Sequence, residues 1–276
     1  MARITNLIII FSLIFALLPV SASASLFGVS EGEEIEIGRQ TAYQLEQKFG
    51  TYNDYRANAH VNAVGQRIAR ISDRPGLEYH FGILDSDDVN ALSAPGGFIY
   101  INRGLLEQVD NDDELAGVLA HEIAHVTARH AVKQIEQQMG YGIGLTLLSL
   151  FMRKSKHATD IQRVANISID MLMKGYSRKD EYEADDIGFT YASKAGFDTN
   201  GMIAFLRKLE RLEEGGFSKL LVFMSTHPAL SDRVVRLKAK SYSGTLDDSS
   251  QFREGETLEE FKERIRREVS ANRKKR

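Results

Sequence analysis

The chain has 276 residues, no cysteine, 35 Lys and Arg against 38 Asp and Glu, and a formal net charge of −3. Without cysteine it forms neither a disulfide nor a thiolate metal site, so any metal ligand must be His, Asp or Glu. The near-balanced charge provides no basic footprint for nucleic acid, and roughly 250 residues beyond the N-terminal leader can bury a sizeable core.

Residues 1–24 predict a cleavable secretory leader. Arg3 precedes the apolar run Leu7–Leu18, which is too short to span a bilayer, and Ala22-Ser23-Ala24 is a small-residue cleavage signal. The mature chain is expected to begin near Ser25, in the periplasm. Glu33–Phe49 predicts a helix with Ile37, Tyr43, Leu45 and Phe49 on a partial apolar face and Gly50 as its stop. Asp54–Ser72 predicts a second, on Val61, Val64, Ile68 and Ile71. Leu77–Leu84 reads as a strand, and its His80 as an ordinary strand residue rather than a ligand. A further strand is expected over Phe98–Ile101. Pro95-Gly96-Gly97 separates it from an extended segment, which the proline marks as a sheet edge. Such an edge can pair with a peptide backbone as an added strand; a plain hairpin turn is the alternative.

The stretch Val118–Val126 contains His121-Glu122-Ile-Ala-His125. Leu115, Val118, Leu119, Ile123 and Val126 form a helical apolar stripe, and Asn111-Asp112-Asp113-Glu114 supplies a cap and an acidic first turn. Histidines four residues apart project from one helix face. Their nitrogens can share one Zn²⁺ at roughly 2.0–2.1 Å each. Glu122 is placed to reach a water at the metal without ligating it. The helix is expected to continue to about Gln138, which would turn His130 half a turn away from His121 and exclude it as a ligand.

Met139–Met152 is apolar and contains Gly140, Gly142 and Gly144. It is too short to cross a membrane. It predicts a buried helix, a mobile flap, or a surface touching membrane or unfolded substrate. A helix follows over Asp160–Lys174. In Ser177–Phe189, Glu181 and Asp185 share a face: Glu181 would complete a His₂Glu set while Asp185 accepts the free N–H of a ligating histidine. Glu183, expected to face solvent, stays open as an alternative third ligand. Gly201–Glu213 is amphipathic on Met202, Phe205, Leu206 and Leu209. Pro228 holds His227 extended on a loop. There His227 is suited to donate to an oxyanion or take a fourth zinc position, with a loop histidine of no role as the alternative. Ser231 or Asp232 is expected to cap the next helix. Residues 242–276 read as a charged extension, with a capping box at Thr257–Glu260 and a frayed end. The expected folded domain is therefore 25–241.

The segments EIEIGRQTA, VNAVGQRIA, NALSAPGGFIYINRGLL, ELAGVLAHEIAHVTARH, SRKDEYEADDIGF and STHPALSDRV occur in this order between Glu33 and Val235. Together they resemble the HtpX, BepA and LoiP group of zinc metallopeptidases, gluzincins that include the CAAX prenyl protease type. The resemblance implies an α+β, mainly α-helical zincin-like domain with a small β-sheet whose edge strand binds substrate. It implies one Zn²⁺ per chain on His121, His125 and Glu181, with Glu122 as general base and Asp185 behind the ligands. Asn90, Ala91, Gly96 and Gly97 would lie along the substrate strand. His227 matches a His-Pro motif that acts on the transition state or occupies zinc as an autoinhibitory ligand. Arg233 would orient the carboxylates or the oxyanion.

The chain departs from this group in lacking the membrane-spanning helices of HtpX and room for the tetratricopeptide array of BepA. Neither a prenyl-peptide substrate nor repeat-recruited partners are expected. The implied function is zinc-dependent endopeptidase hydrolysis of misfolded or unassembled cell-envelope proteins. The alternative is a zinc-stabilised periplasmic chaperone or assembly factor for outer-membrane proteins with little turnover, binding its clients through Met139–Met152.

Overall fold

A computed structural model describes residues 29–140 and 158–244. The leader over 1–24, the apolar stretch beyond residue 140 and the extension past 244 lie outside the described residues. The first helix, α1 (Glu31–Phe49), starts earlier than expected because Ser30 caps it. The Ser30 side chain accepts from Glu33 N, and the Glu33 carboxylate accepts from Ser30 N. Its buried face is Ile37, Gly38, Thr41, Ala42 and Leu45. Tyr43, expected on that face, lies off this stripe and is 59% exposed. Helix α2 (Tyr55–Ala69) is capped by Asp54 and buries Val61, Val64 and Ile68.

Three strands follow: β1 (His80–Leu84), β2 (Ala91–Ala94) and β3 (Phe98–Asn102). Their order is β1-β3-β2, with β1 parallel and β2 antiparallel to β3. Gly96 and Gly97 turn the chain between β2 and β3 at φ 70° and 95°, in the left-handed region that glycine tolerates. A Cβ on Gly96 would lie 2.5 Å from Ile35 Cα, and one on Gly97 2.5 Å from Glu78 O. The turn is thus pressed onto α1 and the approach to β1. His80 on β1 is exposed and stacks on Phe98, with 4.6 Å between ring centroids.

After the short α3 (Arg103–Leu106) comes α4 (Asp112–Thr127), the central element. Asn111 caps it by accepting from Glu114 N, and every residue from Glu114 to Val126 is buried. It does not run on to Gln138. Arg129 adopts φ 57° and a new helix, α5 (His130–Gly140), begins. The cause is distant in sequence: Arg129 Nε lies 2.9 Å from the buried Glu34 Oε2, and its Nη2 donates to Val29 O at 2.6 Å. Glu34 is also bound by Arg74 Nη1 at 2.8 Å.

The remaining helices are α6 (Ala158–Lys174), α7 (Arg178–Lys194), α8 (Asn200–Glu214), α9 (Leu221–Thr226) and α10 (Leu230–Gly244). Ser177 and Asp180 form a capping box on α7. Ser231 and Asp232, expected as caps, lie inside the first turn of α10, which begins at Leu230. Helices α2, α7 and α8 pack around α4. On α7, Gly188 permits the closest approach: a Cβ there would stand 2.9 Å from Ala120 O and His121 N. No helix among the described residues is long and apolar enough to cross a membrane. The architecture is α+β, mainly helical and zincin-like, with the small sheet beside α4.

Candidate metal centre

Helix α4 presents His121 and His125 one turn apart, and α7 brings Glu181 opposite them. The Nε2 atoms of the two histidines are 3.0 Å apart. Glu181 Oε1 lies 3.4 Å from His125 Nε2, and its Oε2 lies 3.5 Å from His121 Nε2. His227, the C-terminal cap of α9, joins through Nδ1 at 3.2 Å from Glu181 Oε1. All four side chains are buried, and their donor atoms lie within 4.8 Å of one another. Four donors at roughly 2.0–2.1 Å around a tetrahedral centre stand about 3.4 Å apart. The observed separations and the nitrogen–oxygen donor set therefore fit one Zn²⁺.

The outward nitrogens are also engaged. His121 Nδ1 lies 2.9 Å from Asp185 Oδ1 and 3.3 Å from Arg233 Nη2. The shorter contact assigns Nδ1–H as donor to Asp185, leaving Nε2 with its lone pair inward. Arg233 is 1% exposed and grips Asp185 twice, through Nε and Nη2, each at 2.7 Å. Its Nη1 pairs with Glu181 Oε2 at 2.8 Å without the alignment of a hydrogen bond. The guanidinium thus bridges the two carboxylates, the first of its two expected roles.

Electrostatics follow from this burial. For Glu181, burial acts to raise the pKa, but His227, Arg233 and His121 outweigh it and hold the carboxyl well below its ordinary value. Asp185 is lowered too, Arg233 and His121 again overcoming burial. Burial holds His125 well below the usual imidazole value, against the pull of Glu181, and so favours the neutral ligating form. For His121, burial and Arg233 act downward, yet Glu181 and Asp185 raise it to about 9.

Glu122 is 2% exposed, and its Oε2 is buried without a hydrogen-bond partner among the described residues. Beside it and His121 is a recess lined by Val118, Met202, Phe205, Leu206 and Phe223. Strand β2 is an edge by sheet order, but it is covered. All four of its residues are buried, Tyr176 Oη donates to Ser93 O at 3.4 Å, and His227 Nε2 lies 3.4 Å from Ala91 O. The expectation of an exposed edge is corrected by these two side chains. Asn90, also buried, accepts from Thr226 Oγ1 at 3.1 Å while its Nδ2 has no partner among the described residues. A Cβ built on Gly96 or Gly97 would meet Glu34, Ile35, Leu77 and Glu78 first, none of them in the cluster.

Two residues escaped the sequence reading. The Tyr176 ring stacks on His125, with 3.9 Å between centroids; its only local signal is the helix-ending Gly175 at φ 82°. His130, excluded on the assumption of one continuous helix, lies with its Nδ1 2.8 Å from His125 Nδ1. The break at Arg129 turns it under α4. Glu183 is not simply solvent-facing, since its Oε2 lies 3.5 Å from His130 Nε2.

Comparison with known proteins agrees with this arrangement. The chain is 28% identical over 225 residues to the beta-barrel assembly-enhancing protease of Escherichia coli (strain K12), covering 79% of this chain and 45% of that protein. It is 31% identical over 179 residues to the mitochondrial metalloendopeptidase OMA1 of Schizosaccharomyces pombe, covering 65% and 51%. It is 27% identical over 187 residues to the metalloprotease YcaL of Escherichia coli (strain K12), covering 65% and 71%. The chain spans about half the length of the first two relatives. The profile of Peptidase family M48 matches residues 55–241, more than half of the chain, and this protein belongs to that family.

Proposed function

We propose that this chain is a zinc-dependent endopeptidase of the bacterial cell envelope, acting on misfolded or unassembled proteins. The observation that carries the reading is Glu122: a buried carboxylate with an oxygen unpartnered among the described residues, on the helix turn between two histidines that converge with Glu181. A buried carboxylate oxygen without a partner is costly, and such cost is retained where a group must receive a proton. His121, His125 and Glu181 would hold zinc, which supplies Lewis-acid polarisation of a scissile carbonyl and of the attacking water. Glu122 accepts the water's proton at its carboxylate and returns it to the leaving amine. Asp185 and Arg233 keep His121 and Glu181 oriented, so little reorganisation is needed during the reaction. The carbonyls of β2 pair with the substrate backbone once uncovered.

His227 acts as a latch in this proposal. Catalytic zinc sites keep one position open, whereas a fourth protein ligand closes the set. With His227 beside both Glu181 and Ala91 O, cluster and strand are blocked by one ring. The same covered strand favours the second reading, an assembly factor with little turnover. The name of the E. coli relative concerns β-barrel assembly, and transfer of that role to this chain is part of the proposal. In this reading residues 1–24 export the chain to the periplasm, 25–241 form the peptidase domain, and 242–276 are an extension. Met139–Met152 would contact unfolded chains or a membrane surface.

The test is cleavage of unfolded casein by the wild type, Glu122→Gln and His227→Ala. Glu122→Gln should keep zinc and lose cleavage; undiminished cleavage would sink the peptidase reading. If envelope function survives in that variant, the assembly reading prevails. His227→Ala should cleave faster; much slower cleavage would assign His227 to the transition state instead. Full zinc content in Glu181→Ala would remove Glu181 from the ligand set.

A further inference from the structure

We propose that His130 is a positioning residue for His125, in a chain that runs from two carboxylates through His130 to the ligand nitrogen. It deepens the metallopeptidase reading above and rests on it. The protons of the two rings determine the chain's direction. His125 points Nε2 at His121 and Glu181, 3.0 and 3.4 Å away. A neutral imidazole has one proton and one lone pair in its ring plane. Ligation through Nε2 therefore puts the proton of His125 on Nδ1. That atom lies 2.8 Å from His130 Nδ1, so His130 Nδ1 must accept. The proton of His130 is then on Nε2.

This nitrogen is where the chain continues. His130 is 1% exposed, and its Nε2 is buried with no hydrogen-bond partner among the described residues. Yet it faces Glu183 Oε2 at 3.5 Å and Asp180 Oδ1 at 3.8 Å. An N–H beside two carboxylates is electrostatically favoured even at these separations. The two zinc-ligand histidines are thus served differently. His121 donates straight to a buried anion, Asp185. His125 donates to a neutral ring that has its anions one residue further out, at partly exposed positions. The local fold is arranged for this contact. Glu34 holds Arg129 in its left-handed turn, and that turn sets His130 beneath His125. Tyr176 stacks on the His125 ring and fixes its plane.

His130, Asp180 and Glu183 also form a group that would accommodate a metal ion of its own. The proton count argues against that. A metal on His130 Nε2 moves the proton of His130 to Nδ1, which would then donate to His125. The proton of His125 would shift to Nε2 and remove that atom from the zinc set. With neutral rings the two sites exclude each other, and the convergence of His121, His125 and Glu181 selects the first.

The experiment measures zinc stoichiometry and affinity, by chelator competition on the full chain, for the wild type, His130→Leu, His130→Asn and Asp180→Asn/Glu183→Gln. Loss of an outer partner of a zinc ligand typically lowers metal affinity about 10–100-fold. His130→Leu should fall in that range. His130→Asn, whose side-chain oxygen can accept the Nδ1–H, should stay within about threefold of wild type, since the acceptor is kept. The double carboxamide variant should fall between them. Ring ¹⁵N spectra of the zinc-loaded wild type should show His125 protonated at Nδ1 and His130 at Nε2. Equal losses in the Asn and Leu variants, or no loss in either, would overturn the proposal. So would the opposite tautomers, or a second equivalent of zinc that disappears in the double variant. A wild type that takes up no zinc sinks both this and the peptidase reading, whereas one equivalent of zinc with equal Asn and Leu losses sinks this proposal alone.

Discussion

Replacing Arg233 by methionine tests the electrostatic frame of the site. The change keeps an unbranched apolar stem, shorter than arginine's, and removes the charge and five donors. Arg233 is 1% exposed and holds Asp185 through two contacts of 2.7 Å and Glu181 through one of 2.8 Å. Removing one member of a buried ion pair costs about 3–5 kcal/mol, because the other charge is left uncompensated. Two carboxylates lose their partner here, so the upper end, about 5 kcal/mol, is expected for the metal-free protein. For a domain of this size about 2–4 °C of melting temperature goes with each kcal/mol, giving a fall of roughly 10–20 °C. The sign with pH is defined. Asp185 and Glu181 are held below their ordinary values. Their contribution is fully present above the unfolded carboxyl pKa of about 4 and is lost as pH falls through the lowered native values. The difference between wild type and variant should therefore be largest at neutral pH and shrink in acid. Zinc supplies a dication to the same Glu181, so the loss should be smaller in the loaded protein. The assay is thermal unfolding by circular dichroism, with chelator and with zinc. A metal-free fall of less than about 3 °C at pH 7 would refute the reasoning, since it would correspond to about 1 kcal/mol or less.

Other outcomes follow from close contacts elsewhere. Gly188→Ala places a Cβ 2.9 Å from Ala120 O and His121 N. It should cost about 1–3 kcal/mol as overpacking and weaken zinc binding, because α7 supplies Glu181 and Asp185; unchanged melting and zinc titration would contradict that. Glu34→Ala removes the buried anion shared by Arg74 and Arg129, leaving Arg74 only its exposed partner Glu31 at 2.9 Å. With Arg129 partly exposed, the expected loss is about 2–3 kcal/mol, read as a lower urea midpoint at unchanged slope; an unchanged midpoint would remove this ion pair as the cause of the turn. Chelation of zinc should lower the melting temperature by an amount set by mass action, about 2.7 kcal/mol at a free metal concentration 100-fold above Kd. A melting temperature independent of zinc concentration would argue against a folded-state metal site.

Local chemistry made much of this protein legible from its residues. Helix starts are written in side chains that act within four positions: Ser30, Asp54, Asn111 and Ser177 each accept from the backbone just ahead. The facing of His121 and His125 is equally local, a consequence of helical pitch. Glu181 and Asp185 sharing a face is local too, but their approach to α4 is not. It depends on Gly188 letting two helices touch. Spacing therefore nominated Glu181 and left Glu183 open, and only the resemblance chose between them. Where the reading failed, the deciding partner was far away in sequence. Ala128-Arg129 contains no glycine or proline to announce a helix end; Glu34 and Val29 O, some hundred positions earlier, impose it. The composition around β2 correctly predicts a sheet edge, yet Tyr176 and His227, brought from the connections after α6 and α9, cover it. Tyr43 has the polarity of a core residue and still faces solvent. Periodicity and capping are decided by neighbours along the chain, so sequence alone determined the elements and the two-histidine motif. Burial, helix termination by a distant charge and the closure of the cluster are decided by neighbours in space, which only the tertiary structure supplies.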